Sequence, residues 1–244
     1  MLRRNFQLCY QAIKACYSTA NEYSIPKYSI PKYSIPPDYN KYIGKTFTKK
    51  QFTNKFPDYI PYKVIRADMC HYDYTYKVGL NVIKNFTTNE HCSAGGFYVT
   101  NKKNIHSFLE YGDNIAKISL PDTSLIYLEH SKIKVSELII DNMVSIKEYY
   151  TNLDKKSQLA AVTDYNGYRD LLIQYIVNPD KDVQLAAVEA NGLAIQYIVN
   201  PDKEVQLAAV KQDGRSIQYI INPDKTVQWE AVKKNVYVAN FIKL

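Results

Sequence analysis

Cys70-His71 and His91-Cys92 place two thiols and two imidazoles in the first half of the chain, the donor set of a tetrahedral zinc site. Their spacing argues against one. Neighbours in sequence point to opposite faces of a strand, and the two-to-four-residue interval of zinc-binding pairs is missing. Ordinary buried cysteines without a metal are the better reading. Cys9 and Cys16 bring the total to four, too few and too scattered for a disulfide scaffold in 244 residues and consistent with a reducing compartment. No P-loop, G-x-G-x-x-G, G-x-S-x-G or H-E-x-x-H stretch is present, and no cofactor is expected. Acidic pairs such as Asp180 and Asp182 fit helix starts better than acid–base chemistry.

His71 also belongs to a second constellation. Tyr98 follows the Gly95-Gly96 pair into a strand, and Glu129 or Glu137 lies downstream. Cys70-His71-Tyr72 and Gly96-Phe97-Tyr98 resemble the ADP-ribosyltransferase lineages that carry a His-Tyr-acid triad. The resemblance implies an enzyme domain within residues 67–140, with His71 and Tyr98 sandwiching nicotinamide and Glu129 or Glu137 as the acid. The chain departs from that pattern: no His-Gly-Thr triplet follows the strand, and no acidic residue sits in a recognisable motif. On its own terms Tyr98 is a strand aromatic and Gly95-Gly96 a turn, and a non-enzymatic role is favoured.

The elements that would position these residues make a small α+β domain over residues 41–150. Tyr62–Ala67 reads as a strand, and Gly95-Gly96 runs into another. Asn101–Tyr111 reads as a helix capped by Asn101 and closed at Gly112. Ile115–Leu120 and Leu125–Leu128, joined by Pro121-Asp-Thr-Ser124, are expected to form a β-hairpin, and Val135–Ile140 one more strand. Val78-Gly-Leu-Asn81, Cys92-Ser-Ala-Gly-Gly-Phe-Tyr-Val-Thr100, Leu109-Glu-Tyr-Gly-Asp113 and Ile118-Ser-Leu-Pro121 resemble the leading domain found ahead of ankyrin or short helical repeats in mimivirus-family proteins. That resemblance implies a viral protein with a repeat array for partners.

Residues 151–244 carry such an array. Asn178-Pro-Asp-Lys-Asp-Val-Gln-Leu-Ala-Ala-Val188 recurs as Asn200-Pro-Asp-Lys-Glu-Val-Gln-Leu-Ala-Ala-Val210, and Asn178, Asn200 and Asn222 are spaced by 22 residues. A degenerate copy begins at Asn152. The last copy carries Trp229 and puts Val236 where its neighbours have glycine, as a terminal cap does. Within a unit Asn178 is the expected N-cap, with Pro179 at the first helical position and Asp180 in the first turn. Gly192 and Gly214 are expected to end their helices by taking a positive φ. A second short helix follows, carrying Ile195, Tyr197 and Ile198, then Ile217, Tyr219 and Ile220. The alanine pairs Ala186-Ala187 and Ala208-Ala209 leave room for close approach. Neither helix buries its apolar side alone, so units must stack.

The Asn-Pro-Asp-Lys-x-Val-Gln-Leu-Ala-Ala-Val pattern resembles short two-helix repeats, related to HEAT and variant leucine-rich repeats, of amoeba-infecting giant viruses. It implies an α-solenoid of about four units that presents a surface. Side chains that vary at fixed positions are the candidates to face a partner: Glu189, Lys211 and Lys233 at one position, Ala194, Ser216 and Val238 at another.

The net charge of +7 is unevenly spread. Residues 1–66 hold 12 basic against 3 acidic side chains, and the remainder 19 against 21. The repeat has no recurring basic cluster to neutralise phosphates, so specific nucleic-acid binding is disfavoured. Residues 1–22 form a basic leader, acid-poor up to Glu22 and amphipathic, of transit-peptide composition; mitochondrial targeting follows if it is one, host cytoplasm otherwise. Residues 23–40 repeat Tyr-Ser-Ile-Pro-Lys and read as a semi-rigid spacer. No run reaches the ~20 apolar residues of a transmembrane segment. The expected role is an adaptor or scaffold for a host or viral protein, with a virion structural component as an alternative and the oligomeric state open.

Overall fold

The computed structural model describes residues 39–88, 94–163 and 172–242. The leader, nearly all of the spacer, His91 and Cys92 lie outside them. The chain divides after Met143 into two compact units, and α2 (Ile146–Thr151), read from sequence as the end of the first domain, belongs to the second.

The first unit is organised by an eight-stranded sheet in the order β1-β8-β9-β6-β2-β7-β10-β5. Its strands are β1 (Thr46–Thr48), β2 (Pro61–Ile65), β5 (Gly79–Val82), β6 (Phe97–Asn101), β7 (Asn114–Ser119), β8 (Leu125–Leu128), β9 (Ile133–Val135) and β10 (Glu137–Ser145), while β3 (Cys70–His71) and β4 (Tyr74–Thr75) form a separate two-stranded ribbon. Every pairing with an assigned register is antiparallel. Register sets the two faces. Phe47, Ile126, Val135 and Phe97 are successive cross-strand partners, and all four are buried in one cluster. The adjacent row, Thr46, Tyr127, Lys134 and Tyr98, points to the opposite face because side chains alternate along a strand. α1 (Lys49–Lys55) adds Phe52 to the apolar cluster and starts on a capping box between Thr48 and Gln51.

Two local expectations are corrected. β7 and β8 do not form a hairpin: β7 pairs with β2 and neighbours β10, so it has no edge left, and β8 pairs with β1 and β9. Pro121–Ser124 is still a turn, closed by Ser124 N–H donating to Pro121 O at 3.0 Å. Asn101 ends β6 instead of capping a helix. The helical segment is the 3-10 stretch Ile105–Tyr111, and Gly112 after it is extended, needed because a Cβ there would lie 2.5 Å from the Ile65 carbonyl carbon.

In the second unit, α2 is followed by α3 (Lys155–Thr163), α4 (Lys181–Ala190), α5 (Lys203–Gln212) and α6 (Lys225–Lys234), each of the last three trailed by a 3-10 segment beginning at Gly192, Gly214 or Val236. Helices α3 to α6 each pack on the next. Asn178, Asn200 and Asn222 are not N-caps: each takes φ +49°, a left-handed conformation that asparagine tolerates better than most residues. The caps are Asp180, Asp202 and Asp224, whose carboxylates accept from the Val183, Val205 and Val227 N–H groups at 3.0 Å each. The Gln184, Gln206 and Gln228 amides donate back to the Pro179, Pro201 and Pro223 carbonyls at 2.8, 2.9 and 2.9 Å. Val183, Ala187 and Val188, with their counterparts Val205, Ala209 and Val210, are the buried stripe.

Gly192 and Gly214 do not have positive φ. They are glycine because the next unit leaves no room: a Cβ would lie 2.5 Å from Ala209 O or 2.7 Å from Ala231 O. Val236 occupies the matching position in the last unit and is 65% exposed. Gly192→Ala is therefore expected to cost about 1–3 kcal/mol of stability in urea unfolding, whereas Val236→Ala shifts it by less than about 0.5 kcal/mol.

Candidate functional site

In the first unit the sequence-selected residues converge on lysines that sequence reasoning passed over. Lys134 is fully buried between the cross-strand neighbours Tyr127 and Tyr98, and its ammonium donates to Ala94 O at 3.1 Å. Gly96 makes way for it, since a Cβ there would lie 2.6 Å from Lys134 Cγ. Lys63 on β2, 8% exposed, donates to Tyr98 O at 2.9 Å and lies 5.0 Å from the Tyr76 ring centroid. Lys132 stands 4.0 Å above the Tyr98 ring and 3.7 Å from the Glu129 carboxylate. His71 sits half-buried in the β3–β4 ribbon against Tyr72, where burial and then the positive charges of Lys63 and Arg66 hold its pKa below the usual imidazole range.

This geometry does not suit nicotinamide transfer. Lys132 covers a face of Tyr98, where a ring would have to stack, and its charge repels a pyridinium. Glu129 is 2% exposed and faces Lys132. Glu137 accepts from Thr123 Oγ1 at 2.7 Å. A partly neutral lysine can act as a base or nucleophile, but Lys63 is packed within the sheet. Of the proposed zinc ligands, Cys70 Sγ lies 3.5 Å from Thr75 Oγ1, and no acid, His and Cys group fit for a metal occurs among the described residues; His91 and Cys92 lie outside them.

In the second unit Glu189, Lys211 and Lys233 are exposed as expected. Ala194, Ser216 and Val238 are not: they are 0, 0 and 1% exposed, inside the 3-10 segments that contact the neighbouring unit. Their variation accompanies packing between units, and side chains this buried do not meet a partner. Between α4 and α5 runs an open groove of about 460 Å³ lined by Leu185, Glu189, Glu204, Leu207, Ala208, Lys211 and Gln212. Leu185 and Leu207 were missed as groove residues, although each precedes a chosen residue by four, one helical turn on the same face.

A lysine ladder ties the units together. Lys155 pairs with Asp180 at 3.2 Å and with Asp182; Lys181 with Asp202 at 2.9 Å and Glu204 at 2.6 Å; Lys203 with Asp224 at 2.6 Å. These side chains are about half exposed, so solvent weakens each pair, and the same turn meets the same turn from one unit to the next.

A protein built of such units is a repeat protein, and the comparisons agree. Residues 180–222 match the family described as Domain of unknown function (DUF4116). Two proteins of Acanthamoeba polyphaga mimivirus that are named as ankyrin repeat proteins are similar: R896, 42% identical over 62 residues, 25% of this chain and 19% of that protein, and R229, 34% identical over 91 residues, 33% and 30%. The chain spans less than a third of the length of the curated relatives it matches. No solved structure matches. The similarity supports a repeat protein of giant-virus type and does not extend to the HEAT-like or leucine-rich class. A transit peptide and mitochondrial targeting concern the leader, outside the described residues. Among those residues no helix is long and apolar enough to cross a membrane.

Burial, and then the charge of Lys132, push Lys63 down to about 7 from 10.5. Between those values the unfolded chain binds a proton that the fold rejects, so stability rises with pH across that window. Lys63→Met is expected to flatten the rise in urea midpoints measured from about pH 7 to 9.5; an unchanged slope would mean the sheet accommodates the charged amine.

Proposed function

We propose that the second unit is a short α-solenoid acting as a protein-interaction module, so that the chain serves as an adaptor or scaffold of a giant virus in the infected cell. The α4–α5 groove carries the reading. It is apolar at Leu185 and Leu207, walled by Glu189 on α4 and by Glu204 and Lys211 on α5, and open to solvent. That mixture of an apolar floor and a charged rim suits a protein segment. The relatives' names as ankyrin repeat proteins support the same class. The 22-residue spacing is shorter than the ~33 residues of an ankyrin unit, so the likeness lies in the repeat principle and not in the unit.

Affinity purification of the full-length chain from infected host cells, followed by mass spectrometry, tests this. A stoichiometric protein partner is expected. Charge reversal by Lys211→Glu, which leaves the buried stripe untouched, is expected to weaken that complex by about tenfold or more with an unchanged circular dichroism spectrum. Undiminished binding would remove this groove as the contact face.

A further inference from the structure

The repeat geometry assigns a second, different face. On α4 the stripe Lys181, Leu185, Glu189 falls at successive four-residue steps, one side of the helix. Lys181 reaches Asp202 and Glu204 of the next unit, and Leu185 and Glu189 line the groove shared with α5. That stripe therefore looks toward the following unit. Its counterpart on α6 is Lys225, Trp229, Lys233, and among the described residues only the 3-10 segment Val236–Phe241 follows α6, with no further α-helix. Trp229 is 73% exposed between two exposed lysines, and Val236 on the same outward side is 65% exposed.

Val236 keeps another unit from stacking in the same way. At the two preceding positions even a Cβ would meet the next unit's backbone carbonyl at 2.5 and 2.7 Å. The face is thus shaped for something other than a continuation of the array, yet it keeps the lysine that elsewhere takes two carboxylates.

We propose that this outward face docks an acidic amphipathic helix of another protein, with its first-turn carboxylates on Lys225, an apolar side chain on Trp229 and Val236, and a further carboxylate about two turns along on Lys233. The ladder supplies the charge pattern: Lys181 takes an N-cap aspartate and an acid two residues later. A second copy of this chain is a poor occupant. Its first repeat carries Lys156 two residues after Asp154, where Asp182 and Glu204 stand in later units, so head-to-tail stacking opposes Lys156 to Lys225. A two-fold pairing of outward faces opposes lysines to lysines. The proposal rests on the interaction-module reading but uses a surface separate from the α4–α5 groove.

Trp229 is the only tryptophan in the chain, so its emission reports this face directly. The probe is a synthetic leucine-bearing helical peptide starting Asp-x-Glu, titrated into the full-length protein. A saturable blue shift is expected, with affinity reduced at least about tenfold for the Asn/Gln version. Lys225→Glu combined with Lys233→Glu should abolish binding of the acidic peptide and create binding of one with lysines at the acidic positions, a charge swap that misfolding cannot mimic. Lys211→Glu, run in parallel, should leave the shift intact. No shift, equal binding of the Asn/Gln peptide, or a shift lost with Lys211→Glu and kept in the Lys225/Lys233 variant would overturn the proposal; the last outcome would leave the groove reading standing. A shift produced by a single-stranded oligonucleotide and not by the peptide would overturn it in favour of base stacking, and a concentration-dependent dimer with Trp229 already shielded would overturn it in favour of self-association.

Discussion

The closest approach in the second unit, a glycine of one repeat against the alanine carbonyl of the next, governs how the rest of that unit is built. Because the Gly192 and Gly214 backbones lie where side chains would collide with Ala209 O and Ala231 O, helices sit close enough for Val183, Val205 and Val227 to be completely buried. Close spacing also brings each helix-start lysine within reach of the carboxylates one unit on. The weak exposed pairs thus follow from the backbone contact and do not cause it. The left-handed asparagines, the aspartate caps and the glutamine-to-proline-carbonyl bonds are local devices that return the chain to the same starting geometry every unit.

The first unit meets a different constraint. Its sheet has one apolar face, around Phe47, Ile126, Val135 and Phe97, and a second face that buries lysines among tyrosines. On that face Lys132 and Lys134 lie over the Tyr98 ring, while Lys63, whose register partner Ala116 belongs to the apolar cluster, reaches the Tyr98 carbonyl from the other face. Burying ammonium groups is costly unless carbonyls, rings or carboxylates solvate them; Lys132 and Lys134 have such partners, whereas burial pushes Lys63 down to about 7. The arrangement reads as structural polarity in a sheet with covered faces, which is why the same residues make a poor cleft for chemistry.

Much of this was legible in the sequence, and the failures have identifiable causes. The repeat period and the packing of each helix on the next follow from the 22-residue spacing and from helices that cannot bury their apolar sides alone, and the exposure of Glu189, Lys211 and Lys233 agrees with their variation between units. The roles of Asn178 and Gly192 were misassigned because two mechanisms share one residue type: asparagine suits both an N-cap and a left-handed turn, and glycine both a positive φ and a tight contact. Only the neighbour across the interface distinguishes them. Variation alone does not separate surface from packing, as the buried Ala194, Ser216 and Val238 show. The β7–β8 hairpin failed because a turn signal fixes where the chain reverses, not which strand edge is still unpaired. Lys134 gave no signal, since a lysine in an alternating strand normally reads as facing water.

The 22-residue ladder also bears on how such a chain can change over generations. Each interior unit offers its successor the same glycine gap and the same lysine, and offers its predecessor the same aspartate cap, so a duplicated or deleted interior unit meets matching surfaces on both sides. Length can vary in whole steps without new contacts being invented. The unit bearing Val236 is the exception: copied into the middle, it would hold its neighbour off. Variation in array length is therefore expected among interior copies, with the tryptophan-bearing unit inherited as an undivided block.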